Sequence, residues 1–337
     1  MAILLSSSDR YLDHDAGRGH PERPARLDAV LRGAAAAGLG EDLVAVAPRP
    51  ATRAELEALH PAEHLDALER FCRGGGGHVD PDTSAGPGSW DAAVLAAGAG
   101  PDAVDRLERG EGSAAFLALR PPGHHATPTR SMGFCLLNNV AVTAASLVAR
   151  GERVLIIDWD AHHGNGTQDA FYADGRVLYV SFHQHPLYPN TGRLDDRGTG
   201  DGEGCTMNVP LPAGTTGDVL LRAVDDLVSP AVEAFAPSWL LVSAGFDGHR
   251  DDPLTGLGLS SGDFADLTRR ALAFAPPGRR IAFLEGGYDL QALADSTAAT
   301  VAGLAGADLR PERGTSGGPG GHVVDAALRL RASGADK

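Results

Sequence analysis

Four mainly apolar runs, at residues 114–119, 154–157, 239–243 and 280–285, each give way at once to a cluster of glycine and titratable side chains. Short apolar runs without alternation suit strands buried on both faces, as in a parallel sheet. Helical spacing separates them, for example at residues 90–107, 140–149, 219–235 and 263–274, and further strands are expected at 3–5, 177–181 and 207–211. The pattern predicts an α/β fold, a mainly parallel sheet flanked by helices on both faces. Parallel strands deliver their C-terminal ends to one edge, so the four polar clusters are expected to meet there.

Among the remaining stretches, residues 25 onward and 52–71 read as helical, and the Gly- and Asp-rich loop 187–204 reads as a lid or mobile segment. Gly314 to Gly321 forms a Gly-rich break, followed by a weak helical pattern at 323–331. The expected division is therefore one main domain at 1–312 and a Gly-rich segment and tail, with a docked or frayed helix, at 313–337. No internal repeat is present. The net charge of −15 argues against nucleic acid or an anionic membrane surface as a partner, because both are bound through Lys and Arg. Cys72, Cys135 and Cys205 lie far apart without a C-x-x-C pair, which suits free thiols in a reducing compartment. Residues 2–5 are too short an apolar stretch for a signal sequence, and no run approaches the roughly 18 residues of a membrane span. A cytoplasmic, soluble protein is expected, with homo-oligomerisation left open.

The densest cluster is Asp158-Trp159-Asp160-Ala161-His162-His163-Gly164-Asn165-Gly166. Extended backbone would aim Asp158, Asp160 and His162 to one side, and the glycines let the chain turn away. Alone, this could be a polar strand-end turn that satisfies only its own backbone. The other clusters weigh against that: Arg120-Pro121-Pro122-Gly123-His124-His125, Gly245-Phe246-Asp247 and Gly286-Gly287-Tyr288 all fall at strand ends. Asp160, His162 and Asp247 offer one nitrogen and two carboxylates, a set suited to Zn²⁺ or Fe²⁺ with a position left open. His124 and His125 fit proton transfer to and from a water activated by the metal, and Tyr288 fits hydrogen bonding to a developing oxyanion. His14 and His20 read as exposed loop histidines outside the site, Arg26 as a support, and His163 has no assigned catalytic role.

These motifs, with His20 to Leu27 and Gly133-Phe134-Cys135-Leu136-Leu137-Asn138-Asn139, resemble the histone deacetylase superfamily across roughly residues 10–300. That superfamily includes acetylpolyamine amidohydrolases and acetoin-utilisation proteins and shares an arginase-like fold. The resemblance implies a zinc-dependent deacetylase. Asp160, His162 and Asp247 would be zinc ligands, His125 the general base and acid, His124 its partner paired with Asp158, and Tyr288 the carbonyl-polarising residue. Asn165 stands where some members carry aspartate and resembles the class II branch; a neutral partner would leave His125 less basic. A structural K⁺ would lie among Asp158, Asp160, His162, Ser181 and Phe182, and a second near Phe171, Asp174 and Val177. Gly133, Phe134 and Tyr188 would wall an acyl-lysine tunnel, with Asp80 or Asp82 on its rim. Leu254 occupies the place of a glutamate gatekeeper in a polyamine-selective relative, which favours acetyl-lysine over acetylpolyamine as substrate. A non-catalytic acyl-lysine binder is the remaining class.

Overall fold

The computed structural model describes residues 2–334. Eight strands form one sheet: β1 (Ile3–Ser6), β2 (Leu43–Val46), β3 (Ala114–Leu117), β4 (Val154–Asp158), β5 (Val177–Gln184), β6 (Thr206–Leu211), β7 (Trp239–Ala244) and β8 (Arg280–Leu284). Their order is β2-β1-β3-β8-β7-β4-β5-β6, and every pairing is parallel. The apolar runs explain this placement, since β3, β4 and β7 are buried along their whole length. The four strands that end in polar clusters, β3, β8, β7 and β4, are contiguous at the centre. Their motifs therefore emerge side by side on one edge.

Helices flank the sheet. Ala25–Ala36 packs on Leu290–Leu304, which also packs on Ser261–Ala271, while Ser89–Glu108 packs on Asn139–Ala149. The first pair approaches so closely at Gly33 that a Cβ there would lie 2.2 Å from the Ala294 carbonyl oxygen. Among the described residues, no helix is long and apolar enough to cross a membrane.

Proline explains two departures from the helical pattern. Residues 52–71 form two helices, Arg53–Glu57 and Ala62–Arg73, because Pro61 stands at the N-terminal cap of the second and restricts the residue before it. Residues 219–235 form Gly217–Ala223, a wider π turn at Val224–Val228, then Ser229–Phe235. Pro230 has no N–H for the regular ladder, and the Ser229 hydroxyl donates to the Val224 carbonyl across the widened turn at 2.9 Å. Strand β2, helix Asn165–Phe171 and helix Leu290–Leu304 had no counterpart in the sequence reading.

The C-terminal helix, Gly321–Gly334, docks against β6, with Val324 and Ala327 buried. The segment before it is strapped down. The Thr315 N–H and hydroxyl donate to Asp263 at 2.9 and 2.7 Å, and the Ser261 N–H donates to Glu312 at 3.0 Å. The tail beyond residue 334 lies outside the described residues.

Candidate active site

The loop after β3 presents His124 and His125 on a stiff Pro-Pro-Gly turn. The buried Glu285, following β8, accepts the N–H groups of Gly123 and His124 at 2.7 and 3.2 Å and so anchors the turn. Burial raises the Glu285 carboxyl to about 7, against the opposing charge of His124.

The two histidines are adjacent, with ring centroids 4.1 Å apart, yet their surroundings differ. His124 Nδ1 donates to Asp158 Oδ2 at 2.9 Å, and the Tyr179 hydroxyl donates to the same oxygen at 3.1 Å. Burial disfavours the charged ring, but the Asp158 and Asp160 carboxylates outweigh it and hold His124 well above the usual histidine range. His125 meets an amide instead, donating from Nδ1 to Asn165 Oδ1 at 2.9 Å. Burial, followed by the charges of His124 and His162, holds it well below that range. The result is an imidazolium beside a neutral imidazole whose Nε2 keeps a free lone pair.

Asp160, His162 and Asp247 converge from β4 and β7, their ligand atoms all within 4.8 Å of one another. His162 Nδ1 lies 2.8 Å from Asp247 Oδ2 and 3.2 Å from Asp160 Oδ1. Backbone N–H groups take other carboxylate contacts: Gly286 donates to Asp160 at 2.8 Å and Ala161 to Asp247 at 2.8 Å. Two glycines make this crowding feasible. A Cβ on Gly245 would lie 2.0 Å from Asp160 Oδ2, and one on Gly286 would lie 2.3 Å from Asp247 Oδ2. Burial opposes charge on His162, yet Asp247 and Asp160 lift its pKa to about 10; burial and then Asp160 push Asp247 up to about 7. Two carboxylates and one nitrogen crowded at this depth form a donor set that fits a divalent cation.

Tyr288 follows the two glycines after β8. Its N–H donates to Asp252 Oδ2 at 2.7 Å, and the guanidinium of Arg26 sits 5.0 Å from its ring centroid. Arg26 also donates to the carbonyls of Gly287, at 2.7 Å, and Glu285, so it supports the loop that carries the tyrosine. Burial holds the Tyr288 phenol well above its usual range, keeping it a proton donor.

A cavity of about 220 Å³ opens onto these groups. Its lining includes His125, His162 and Tyr288, together with Gly133, Phe134, Tyr188, Leu254 and Asp82. Gly133 has φ +57°, and a Cβ there would lie 2.5 Å from the His125 ring. Of the two aspartates left open by the sequence, Asp82 faces the cavity. Asp80 closes a turn by accepting the N–H groups of Asp82 and Thr83 at 3.1 and 2.7 Å.

Asp158 and Ser181 lie in register on β4 and β5, and Phe182 is fully buried beside them. Where the resemblance implies a second cation, the Asp174 carboxylate is instead engaged by Arg176 at 2.7 Å. His14 and His20 correct the sequence expectation: His14 is buried, with Nδ1 2.7 Å from the Ser89 hydroxyl and Nε2 3.4 Å from Glu22, and His20 is half-buried with its ring centroid 4.5 Å from that of Phe134. Glu285 and Asp252, which brace the His124 and Tyr288 loops, escaped the sequence reading, although an acidic residue ending an apolar strand was a visible signal for Glu285.

This parallel α/β architecture gathers acid, base and metal-donor groups at the central strand ends, an arrangement able to support hydrolytic chemistry. Residues 20–304 match the family model of the histone deacetylase domain, and the chain belongs to that family. It is 42% identical over 308 residues to a probable deacetylase of Archaeoglobus fulgidus, covering 89% of this chain and 86% of that protein. A histone deacetylase-like amidohydrolase of Pseudomonas aeruginosa is 37% identical over 287 residues, covering 82% and 75%. The crystal structure of the HDA15 HD domain superimposes with a TM-score of 0.91 at 34% identity, covering 99% of this chain and 96% of that one. Amide hydrolysis of the deacetylase type is the activity this membership supports.

Proposed function

We propose that the protein is a zinc-dependent deacetylase that removes acetyl groups from Nε-acetyl-lysine side chains. The observation that carries this reading is the convergence of His125, Tyr288 and the Asp160/His162/Asp247 set on one cavity. Asp160, His162 and Asp247 would hold Zn²⁺, which when bound supplies Lewis acidity toward water and a substrate carbonyl. His125 Nε2 takes a proton from the attacking water while Asn165 fixes its ring through Nδ1. The water oxygen bonds to the carbonyl carbon, and the Tyr288 hydroxyl hydrogen-bonds to the developing oxyanion. The C–N bond then breaks, and His125 returns its proton to the leaving amine, giving acetate and lysine. His124, charged and paired with Asp158, keeps His125 in its neutral form.

The cavity also supports the substrate class. Phe134 and Tyr188 offer apolar walls for a methylene stem, and Asp82 offers an acceptor at the rim for a peptide N–H. A K⁺ is assigned beside Asp158, Ser181 and Phe182. The second reading, an acetylpolyamine substrate, is favoured by Asp82 and the net charge of −15, whereas Leu254 on the cavity wall supplies no carboxylate to hold a cationic amine. Zinc-loaded protein offered acetyl-lysine peptides and N-acetylputrescine separates the two. Higher kcat/KM on the peptides is expected, and higher kcat/KM on the polyamine would replace the first reading with the second.

A further inference from the structure

The cavity wall at Tyr188 belongs to the long loop 187–204, which the sequence reads as a lid or mobile segment. In the structure this loop is fastened beneath the wall by two buried histidines that the proposed chemistry does not use. His163 Nδ1 lies 2.7 Å from Thr191 Oγ1, and its Nε2 lies 3.0 Å from Gln168 Oε1. Asn208 Nδ2 donates to the same Gln168 oxygen at 2.7 Å, so that oxygen is an acceptor and His163 Nε2 carries the proton. Its Nδ1 therefore accepts, and the Thr191 hydroxyl donates.

His183 follows the same logic. Its Nε2 donates to the Gly192 carbonyl at 3.0 Å, and its Nδ1 accepts from the Ser181 hydroxyl at 2.9 Å. The rings lie 4.7 Å apart and are both 1% exposed. Gly192 closes the joint with φ +79°; a Cβ there would lie 2.5 Å from His163 and 2.7 Å from His183. Only glycine fits that approach.

We infer that His163 and His183 are positioning residues that clamp Thr191 and Gly192, and thereby fix the Tyr188 wall relative to the segment bearing His162. His163 directly follows His162, so the metal site and the wall are joined by a single peptide bond on one side and the clamp on the other. Tyr188 stands three residues before Thr191, and its ring meets His125 edge-on with centroids 5.2 Å apart. Release of the clamp would let the wall retreat from the substrate stem without removing any group that transfers a proton. The effect belongs chiefly to substrate binding. This inference rests on the deacetylase reading for its kinetic consequence and on geometry alone for the clamp.

The test alters the loop side of the clamp, away from the ligand segment, using full-length zinc-loaded Thr191→Val, Thr191→Ser and Gly192→Ala. Loss of one hydrogen bond at Thr191→Val is expected to raise KM for an acetyl-lysine peptide roughly fivefold, with a smaller fall in kcat and zinc content retained. Thr191→Ser should restore KM, and Gly192→Ala should exceed the effect of Thr191→Val. Hydrogen exchange at residues 187–192 should accelerate in Thr191→Val and Gly192→Ala while β4 stays protected. A lower melting temperature with wild-type KM and wild-type loop exchange would overturn the inference and leave the histidines a purely structural role. Absence of acetyl-lysine turnover in the wild type would overturn the deacetylase reading, while the exchange data would still decide the clamp.

Discussion

Two buried ionic clusters lie near each other in this fold, and they are satisfied in opposite ways. In the first, Glu22 accepts from Arg120 at 2.6 and 2.7 Å and from Arg26 at 3.2 Å, all three side chains being fully buried. The remaining guanidinium donors reach carbonyls of Tyr11, His14, Glu285 and Gly287. Burial raises the Glu22 carboxyl, but His14 and Arg120 outweigh it and hold it well below the usual carboxylate range. In the second cluster, Asp160 and Asp247 share the His162 imidazole, with His124 Nε2 3.9 Å from Asp160, and Asp247 is pushed up to about 7 by burial and then Asp160. The first cluster closes on itself and stabilises the fold. The second crowds two carboxylates and one ring nitrogen with no guanidinium between them, a donor set that suits a cation from outside the chain.

That contrast breaks most sharply if the clusters are mutated separately. Asp247→Asn should lower kcat/KM on acetyl-lysine peptides by on the order of a thousandfold or more, since several kcal/mol of charge stabilisation depend on the bound metal. It should also lower zinc per chain while leaving the metal-free fold near wild-type stability. Retained zinc and turnover would remove Asp247 from the ligand set. Glu22→Ala should do the reverse to the fold, destabilising it by about 3–5 kcal/mol because two buried guanidinium groups lose their carboxylate. Urea unfolding measures this, and a loss below 1 kcal/mol would contradict the closed-cluster reading. The sign with pH is fixed by the depressed folded pKa. Stabilisation by Glu22 is complete above its ordinary value of 4.5 and is lost as pH falls through the lower folded value.

The proton-handling groups give the next effect. His125→Ala and Tyr288→Phe should each reduce turnover roughly a hundredfold or more while zinc content and folding are retained. Unchanged turnover in both would dismiss the mechanism and leave the open cluster without a catalytic role.

The two clusters were also unequally legible in the sequence. Asp160 and His162 sit two apart at the end of an apolar run, and Asp247 follows another, so local pattern and the shared edge of a parallel sheet sufficed to predict that they lie on one side of the fold. Glu22 and Arg120 are 98 residues apart, and neither sits in a periodic pattern that marks it as buried. Their pairing depends on where the loop before Ala25–Ala36 folds back over β3, which also explains why His14 is buried rather than exposed. The same limit hid β2, whose residues are partly exposed at the sheet edge and therefore lack the unbroken apolar signal of the central strands. The Pro230 π turn was missed for a different reason: apolar spacing continues through it although the hydrogen-bond ladder does not.

The smallest predicted effect sharpens the comparison inside the open cluster. His124 and His125 differ because Asp158 is charged and Asn165 is not. Asn165→Asp would place a carboxylate on His125 Nδ1 and favour the imidazolium form. His125, held well below the usual histidine range by burial and then by the charges of His124 and His162, would titrate at higher pH. Because the neutral ring is the base, the acid limb of kcat/KM should move upward by about one pH unit or more, with the plateau above it less affected. An unmoved or lowered limb would show that proton acceptance does not pass through His125. A raised limb would show that the amide at position 165 keeps this histidine neutral beside the Asp160/His162/Asp247 set.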